Sequence, residues 1–249
     1  MVKLLVLGSG PVFPYPRTKT NRFSDYLDIG GYEEKFELHD DIICNLAKKG
    51  GKERRLRSSL AVITGSGTFL IDAGPDIIYQ LAKYKVSPDV ILITHNHSDA
   101  NFGLKDLKGV EVISEKAGNL KLDQKMDILG AVVTAFRVAH AGNVTTVGFR
   151  IGLGKKVVAY ISDLASLRGV RKWVKDTDIL FADGSILDQN MPSHLSIIDQ
   201  LKYYKKWRLN KVVFTHIGHK TLPHDDLQKY CRSIYKPVDI AYDGQNFKI

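Results

Sequence analysis

The chain has 249 residues, of which 44% are hydrophobic and 25% are charged, a composition typical of a soluble globular protein and not of a disordered, collagen-like or coiled-coil chain. Lys and Arg total 36 against 27 for Asp and Glu, so the net charge is +9. This charge favours anionic partners such as phosphate esters or nucleic acid, or equally a basic solvated surface. Cys44 and Cys231 are the two cysteines, which excludes a disulfide framework and a four-cysteine zinc site.

The N-terminal apolar stretch is too short for a signal peptide and runs directly into Gly8-Ser-Gly. No apolar run approaches the roughly 20 residues that a membrane-spanning helix needs. We therefore expect a cytoplasmic protein with no membrane partner.

Short aliphatic runs predict strands along the whole chain, and most end at a residue that can do chemistry. Helical spacing predicts helices over residues 76–84 and 195–207, the second with Ser193 as its N-cap. A glycine-rich turn at residues 64–67 predicts a hairpin. The mixed α/β pattern indicates layered sheets covered by helices. The predicted strands are residues 2–7, 60–63, 68–71, 90–93, 132–138, 144–151, 156–161, 179–182 and 212–214.

The segment 13–57 interrupts this pattern and has no clean periodicity. We predict one domain over residues 1–249, with an insertion or long loop around 13–57. Such a stretch is either a functional or mobile loop, or a solvated insertion. It contains a basic run formed by Lys48, Lys49, Lys52, Arg54, Arg55 and Arg57.

The strongest chemical signal is the pattern His95-x-His97-x-Asp99, which follows a buried-type strand. Two imidazoles and a carboxylate that point the same way suit zinc or a similar divalent ion. The pattern alone is a moderate signal, because histidine pairs also occur as packed or surface residues.

Three further candidate ligands strengthen it, because each follows a separate aliphatic run at its C-terminal end. They are His140, Asp163 and His216. Strand ends can converge at one edge of a sheet and bring distant residues into one site. The set therefore predicts a metal site, although each histidine taken alone is better explained by a structural role.

The order and spacing of these residues resemble the metallo-β-lactamase superfamily over most of the chain. Asp72, in Phe-Leu-Ile-Asp-Ala-Gly, matches that superfamily's early aspartate. Within the superfamily the chain most resembles PhnP-like phosphodiesterases and tRNase Z-like nucleases, although it lacks the N-terminal cysteine cluster that PhnP-like proteins tend to carry. The matching segments are Val-Ala-His-Ala-Gly at His140, Ala-Tyr-Ile-Ser-Asp at Asp163, Pro-Ser-His-Leu-Ser at His194, and Phe-Thr-His-Ile-Gly-His ending at His219.

The resemblance implies an αββα four-layer sandwich with the metal site at one edge. It implies Zn²⁺ or Mn²⁺ as cofactor, with one or two ions per chain. The first ion would be held by His95, His97 and His140, with Asp163 bridging to a second. The second would be held by Asp99, Asp163 and His216, together with a histidine that most relatives carry directly after Asp99.

That position is Ala100 in this chain, and a methyl group cannot bind a metal. The second ion could then bind more weakly, or Asn101, His219 or water could fill the gap. The protein could also work with one metal, or keep the fold as a metal-binding or partner-binding module. The alanine could equally be an engineered substitution.

The resemblance predicts a metal-dependent hydrolase, most simply a phosphodiesterase that cleaves a small anionic phosphodiester, such as a cyclic ribose phosphate or cyclic nucleotide, with a metal-activated water. Asp99 would orient or deprotonate the water, and His194 would protonate the leaving oxygen or bind the phosphate. A lone histidine just before a predicted helix could equally be a helix-start residue with no catalytic role. Asp72 would hydrogen-bond a ligand histidine directly, His219 would orient a ligand in the same way, and Asp183 would support the site.

An RNA-processing endonuclease similar to tRNase Z is the alternative. The net charge of +9 and the basic run at residues 48–57 favour nucleic acid as partner. Against it, the interval between Asp99 and His140 is short and carries no Gly/Pro-rich insertion resembling a tRNA-gripping arm, so the segment 13–57 would have to take that role. By analogy with relatives, we also expect a homodimer.

Overall fold

Two β-sheets form the centre of the protein in a computed structural model, which describes residues 2–11, 41–140 and 144–249. The first sheet has the strand order β13-β1-β2-β3-β4-β5, and the second has the order β12-β11-β10-β9-β8-β7-β6. The strands are β1 Lys3–Gly8, β2 Ser59–Ile63, β3 Thr68–Ile71, β4 Val90–Leu92, β5 Glu111–Ile113, β6 Lys125–Ile128, β7 Ala131–Val138, β8 Thr146–Leu153, β9 Lys156–Tyr160, β10 Ile179–Asp183, β11 Val212–Thr215, β12 Val238–Ile240 and β13 Asn246–Lys248.

Both sheets combine antiparallel and parallel pairing. The predicted hairpin is present, since β2 and β3 pair antiparallel with Leu60 opposite Ile71. Strands β3, β4 and β5 run parallel to one another. In the second sheet, β9, β10, β11 and β12 run parallel. Parallel strands end at the same edge of a sheet, so the loops that follow them lie close together.

Helices cover the outer face of each sheet, and apolar side chains fill all three layers between them. Ile77 packs on the outer face of the first sheet, and Leu201 and Leu227 pack on that of the second. Phe69, Phe149 and other apolar side chains fill the space between the sheets. This is the expected αββα sandwich. The helices are α1 Ile42–Lys48, α2 Ile77–Tyr84, α3 Ser98–Asn101, α4 Arg171–Val174, α5 Ile197–Trp207 and α6 His224–Ile234, with 3₁₀ turns at Gly51–Glu53 and Phe102–Asp106.

In the described residues 2–11, 41–140 and 144–249, no helix is long enough and apolar enough to cross a bilayer.

Helix α5 begins later than the sequence predicts. Its N-cap is Ser196, whose hydroxyl accepts a hydrogen bond from the Asp199 amide, so the prediction of Ser193 is wrong. The Leu195 amide donates instead to the carbonyl of Leu164. This hydrogen bond ties Leu195 to the loop after β9 and leaves its amide outside the helix.

The basic run proves to be only partly a charged surface. Arg55 and Arg57 are buried, with 1% and 2% exposure. Arg57 forms an ion pair with Asp76 at 2.9 Å, and the Arg55 guanidinium donates to Ser9 Oγ at 2.8 Å. Both therefore join the segment before β2 to the rest of the fold. Part of the predicted insertion, residues 13–40, lies outside the described residues.

Candidate metal centre

Loops from both sheets meet above the edge of the sandwich and bring the predicted ligands together. In the first sheet, His95 follows β4, and His97 and Asp99 lie at the start of α3. In the second sheet, the remaining ligands follow the ends of β7, β9 and β11 by two, three and one residues. These are His140, Asp163 and His216.

Close backbone packing holds these loops in place. A Cβ atom at Gly74 would lie 2.1 Å from the Asp99 carbonyl oxygen, and one at Gly218 would lie 2.0 Å from the Ser185 carbonyl oxygen. Glycine at these two positions lets the loops after β3 and β11 approach their neighbours. The His216 backbone itself has a φ of 56°, a left-handed conformation that is uncommon for residues other than glycine.

Three histidine side chains form the first cluster. The ring centroids of His95 and His97 are 4.6 Å apart, and those of His140 lie 5.5 and 5.3 Å from the other two. One nitrogen of each ring lies within 4.8 Å of the others. This is the predicted first set of ligands.

Asp163 lies between the first cluster and the second predicted site. Its Oδ1 atom is 3.9 Å from His140 Nε2 and 3.9 Å from His216 Nε2. His216 Nε2 also lies 3.3 Å from Asp99 Oδ2. The carboxylate of Asp163 therefore has the position that a bridging ligand requires.

Unpartnered buried atoms show that these residues suit a divalent ion. Among the described residues, His95 Nε2 and Asp163 Oδ2 are buried without a hydrogen-bond partner. Leaving such an atom unpaired costs about 1–3 kcal/mol, a cost that a bound cation removes. Imidazole and carboxylate are also the donors that zinc and manganese accept.

The electrostatics of the cluster attract positive charge. Burial would raise the pKa of Asp163, but His216 and His95 outweigh burial and hold that pKa well below its usual range. Burial would lower the pKa of His216, but Asp163 and Asp99 outweigh it and raise the pKa to about 10. A metal ion would have to displace the proton on His216, so metal binding here should release a proton.

Hydrogen bonds fix the orientation of the ligand imidazoles. His140 Nδ1 donates to the Ser193 carbonyl oxygen at 2.9 Å, which leaves its Nε2 atom facing the cluster. His216 Nδ1 lies 2.8 Å from Ser185 Oγ, and that hydroxyl donates to Asp183 Oδ1. Such contacts set the tautomer of a ligand histidine.

Asp72 supports the cluster one residue further away than predicted. Its carboxylate accepts hydrogen bonds from the Thr94 amide at 2.8 Å and the Thr94 hydroxyl at 2.9 Å. The Thr94 hydroxyl in turn lies 2.8 Å from His95 Nδ1. The prediction of direct contact with a ligand histidine is therefore corrected, because the threonine side chain stands between the two groups.

His194 stands beside the ligands of both predicted sites. Its Nδ1 atom donates to Asp183 Oδ2 at 2.7 Å, and its ring centroid lies 5.4 Å from His140 and 5.7 Å from His216. Burial lowers the pKa of His194, but the Asp183 carboxylate outweighs burial and raises it above the ordinary value.

Ala100 is buried and lies in the wall of the cavity beside Asp163 and His216. The two side chains proposed to replace the missing histidine contact residues outside the predicted ligand set. Asn101 donates to Asn96 Oδ1, and His219 Nδ1 lies 3.4 Å from Asp41 Oδ2. The supporting role of His219 stays a prediction.

Three functional groups were not predicted from the sequence. Thr94 and Ser185 each contact a ligand histidine, and Ser162 lines the cavity beside Ala100. Thr94 precedes His95 directly and could have been suspected from its position, but Ser185 and Ser162 carry no signal of their own in the sequence.

Comparison with known proteins agrees with this geometry. Residues 111–217 match the beta-lactamase superfamily domain. A curated relative, an octanoyltransferase from Porphyromonas gingivalis (strain ATCC BAA-308 / W83), is 24% identical across 77% of this chain. The chain spans only 44% of that relative's length.

Solved structures share the whole fold at low identity. A diphosphatase from the PhnP family is 23% identical with a TM-score of 0.79, covering 100% of this chain and 98% of that one. Zn²⁺-bound PqqB from Methylobacterium extorquens is 19% identical with a TM-score of 0.79, covering 99% and 100%. Human tRNase Z, short form, is 18% identical with a TM-score of 0.65, covering 99% of each chain.

At these identities the solved structures establish the fold, and the family match covers the segment that contributes His140, Asp163 and His216. The chain therefore has the metallo-β-lactamase fold, and its residues 111–217 are similar to the beta-lactamase superfamily domain.

Proposed function

We propose that this protein is a metal-dependent hydrolase that cleaves small phosphodiesters, of the cyclic ribose phosphate or cyclic nucleotide type. The observation that carries the proposal is the pair formed by His194 and the buried Asp183 beside the clustered ligands. A bound Zn²⁺ or Mn²⁺ supplies a water of lowered pKa and neutralises charge on the phosphoryl oxygens.

The ligand set gives the site its affinity for an ion and, through it, for an anionic substrate. His95, His97 and His140 would hold the first ion, and Asp163 would bridge to the second beside Asp99 and His216. This assignment is supported by the ring separations near 5 Å and by the unpartnered atoms of His95 and Asp163.

Asp99 would accept the proton of the attacking water or orient that water. Burial raises the pKa of Asp99, but the hydrogen bond from His216 outweighs burial and lowers the pKa below its ordinary value. The carboxylate is therefore ionised at neutral pH, as a proton acceptor must be.

His194 would protonate the departing alkoxide. Its Nδ1–H is held by Asp183, so Nε2 is the atom that faces the site. A proton on Nε2 can pass to the leaving oxygen, while Asp183 stabilises the charged ring before the transfer. A phosphodiester fits this arrangement, because its leaving group is an alkoxide that needs a proton.

The proposal predicts hydrolysis of bis(p-nitrophenyl) phosphate by protein loaded with Zn²⁺ or Mn²⁺, measured as release of nitrophenolate. Ala100→His should raise the rate, because it restores the donor that most relatives have. Protein stripped with a chelator is the control for metal dependence. Retained metal with no hydrolysis by either protein would instead favour the metal-binding module.

RNA cleavage is the second candidate, and one observation favours it. A groove along α5 is lined by Lys206, the exposed Tyr203 and Lys202, which forms an ion pair with Asp199 in the same groove at 2.7 Å. The groove also includes Leu195, the residue after His194. Burial of Arg55 and Arg57 weighs against the basic run as an RNA site.

For a nuclease that makes three phosphate contacts, we expect the affinity for single-stranded RNA to fall about 20-fold between roughly 50 and 200 mM salt. Fluorescence anisotropy with a labelled oligonucleotide measures this. The double variant Lys202→Gln, Lys206→Gln should show a weaker dependence of RNA affinity on salt concentration. Weak RNA binding that does not change with salt concentration would favour a small phosphodiester as the substrate. The homodimer stays a prediction under either reading.

A further inference from the structure

The cavity beside Ala100 contains oxygen donors that the ligand assignment does not use. Two serine side chains share its wall with the residues of the predicted second metal site. Its lining includes Ser58, Asp99, Ala100, Ser162, Asp163 and His216. In most relatives, by the resemblance, a histidine stands at the position of Ala100.

The two serines differ in whether their hydroxyl is already engaged. Ser58 Oγ donates to the Gly10 carbonyl oxygen at 2.8 Å. Ser162 is 2% exposed and lies beside the Tyr160 hydroxyl, and in the described part of the chain both hydroxyl oxygens are buried side-chain atoms without a well-formed hydrogen bond. An O–H of Tyr160 that donates to Ser162 Oγ still leaves a lone pair on that oxygen, so Ser162 can offer an oxygen donor to a cation.

Without a histidine at position 100, the two predicted sites differ in their donors. The first has three imidazoles and shares one carboxylate. The second keeps one imidazole, from His216, and two carboxylates, from Asp99 and Asp163. Imidazole-rich sets suit zinc, whereas sets dominated by carboxylate and neutral oxygen suit Mn²⁺ and Mg²⁺.

We propose that the Ser162 hydroxyl takes the place of the missing imidazole and makes the second site an oxygen-rich site. Relative to the usual ligand set, this site favours Mn²⁺ or Mg²⁺ over Zn²⁺, while the three-histidine cluster holds Zn²⁺. This inference rests on the ligand assignment of the proposed function and adds the identity of the second ion.

The test measures metal binding and needs no substrate. Metal-free protein is loaded with one equivalent of Zn²⁺ and titrated with Mn²⁺, and free Mn²⁺ is followed by electron paramagnetic resonance. One further Mn²⁺ should bind. Ser162→Ala should raise the dissociation constant of this Mn²⁺ about 10-fold or more, with the Zn²⁺ content unchanged. Ser58→Ala, a matched change in the same wall, should alter it by less than about twofold.

Two variants should shift the preference toward Zn²⁺. Ser162→Cys supplies a soft thiolate and Ala100→His supplies an imidazole, so each should retain a second Zn²⁺ through gel filtration. No second Mn²⁺ in the native protein, or an unchanged Mn²⁺ affinity in Ser162→Ala, would overturn the inference. Correct metal binding in a protein that hydrolyses no ester would refute the proposed function alone.

Discussion

Replacing His194 with glutamine is expected to slow phosphodiester hydrolysis by about 10²–10⁴-fold, the range that a positioned acid or base contributes. The reason is the loss of the proton donor that Asp183 holds beside the ligands. Bound metal should stay unchanged, because His194 lies outside the predicted ligand set. Steady-state kinetics and elemental analysis on the same preparation measure the two effects separately.

The pH profile distinguishes a proton donor from a residue that only shapes the site. A donor must be protonated, so activity should fall as pH rises through the pKa of His194, which Asp183 raises above its ordinary value against the effect of burial. His194→Gln should abolish this alkaline limb, and Asp183→Asn should move it to lower pH. An unchanged limb in the glutamine variant would contradict the role.

The second large effect concerns metal retention. We expect His97→Ala to abolish tight binding at the three-histidine cluster and to remove activity with it. Loss of a group that merely orients a ligand costs about 10–100-fold in affinity, so loss of the ligand itself should cost more. Metal content after dialysis against a chelating resin measures this.

Asn96→Ala is the matched control, since Asn96 lies next to His97 in the chain and is exposed. It should retain the metal of the native protein. Unchanged metal content in His97→Ala would remove His97 from the ligand set and leave His95 and His140 to be reassigned.

Much of the fold could be predicted because the central strands are buried on both faces and appear as continuous aliphatic runs. Strands such as Ile179–Asp183, buried at every position, produce that signal. Four strands were not predicted, and all four lie at sheet edges. They are three or four residues long, and most are only partly buried, so no apolar run marks them. These are Glu111–Ile113, Lys125–Ile128, Val238–Ile240 and Asn246–Lys248.

Helix α6 was also not predicted. Its apolar stripe is narrow, with only His224, Leu227 and Cys231 buried, although their spacing of three and four residues was a usable signal. The ligands could be predicted because each follows a strand and carries a characteristic side chain. The orienting hydroxyls of Thr94 and Ser185 could not, because their partners are set by how two loops pack in space.

The site lies across the boundary between the two sheets, with His95 contributed by one and Asp163 by the other. A bound ion therefore cross-links two layers that are otherwise held together mainly by apolar contact. An ion that binds only the folded state stabilises it by about 4 kcal/mol when its free concentration is a thousandfold above the dissociation constant. A strong chelator would then destabilise the protein mildly, and its temperature of unfolding would rise with the concentration of free metal.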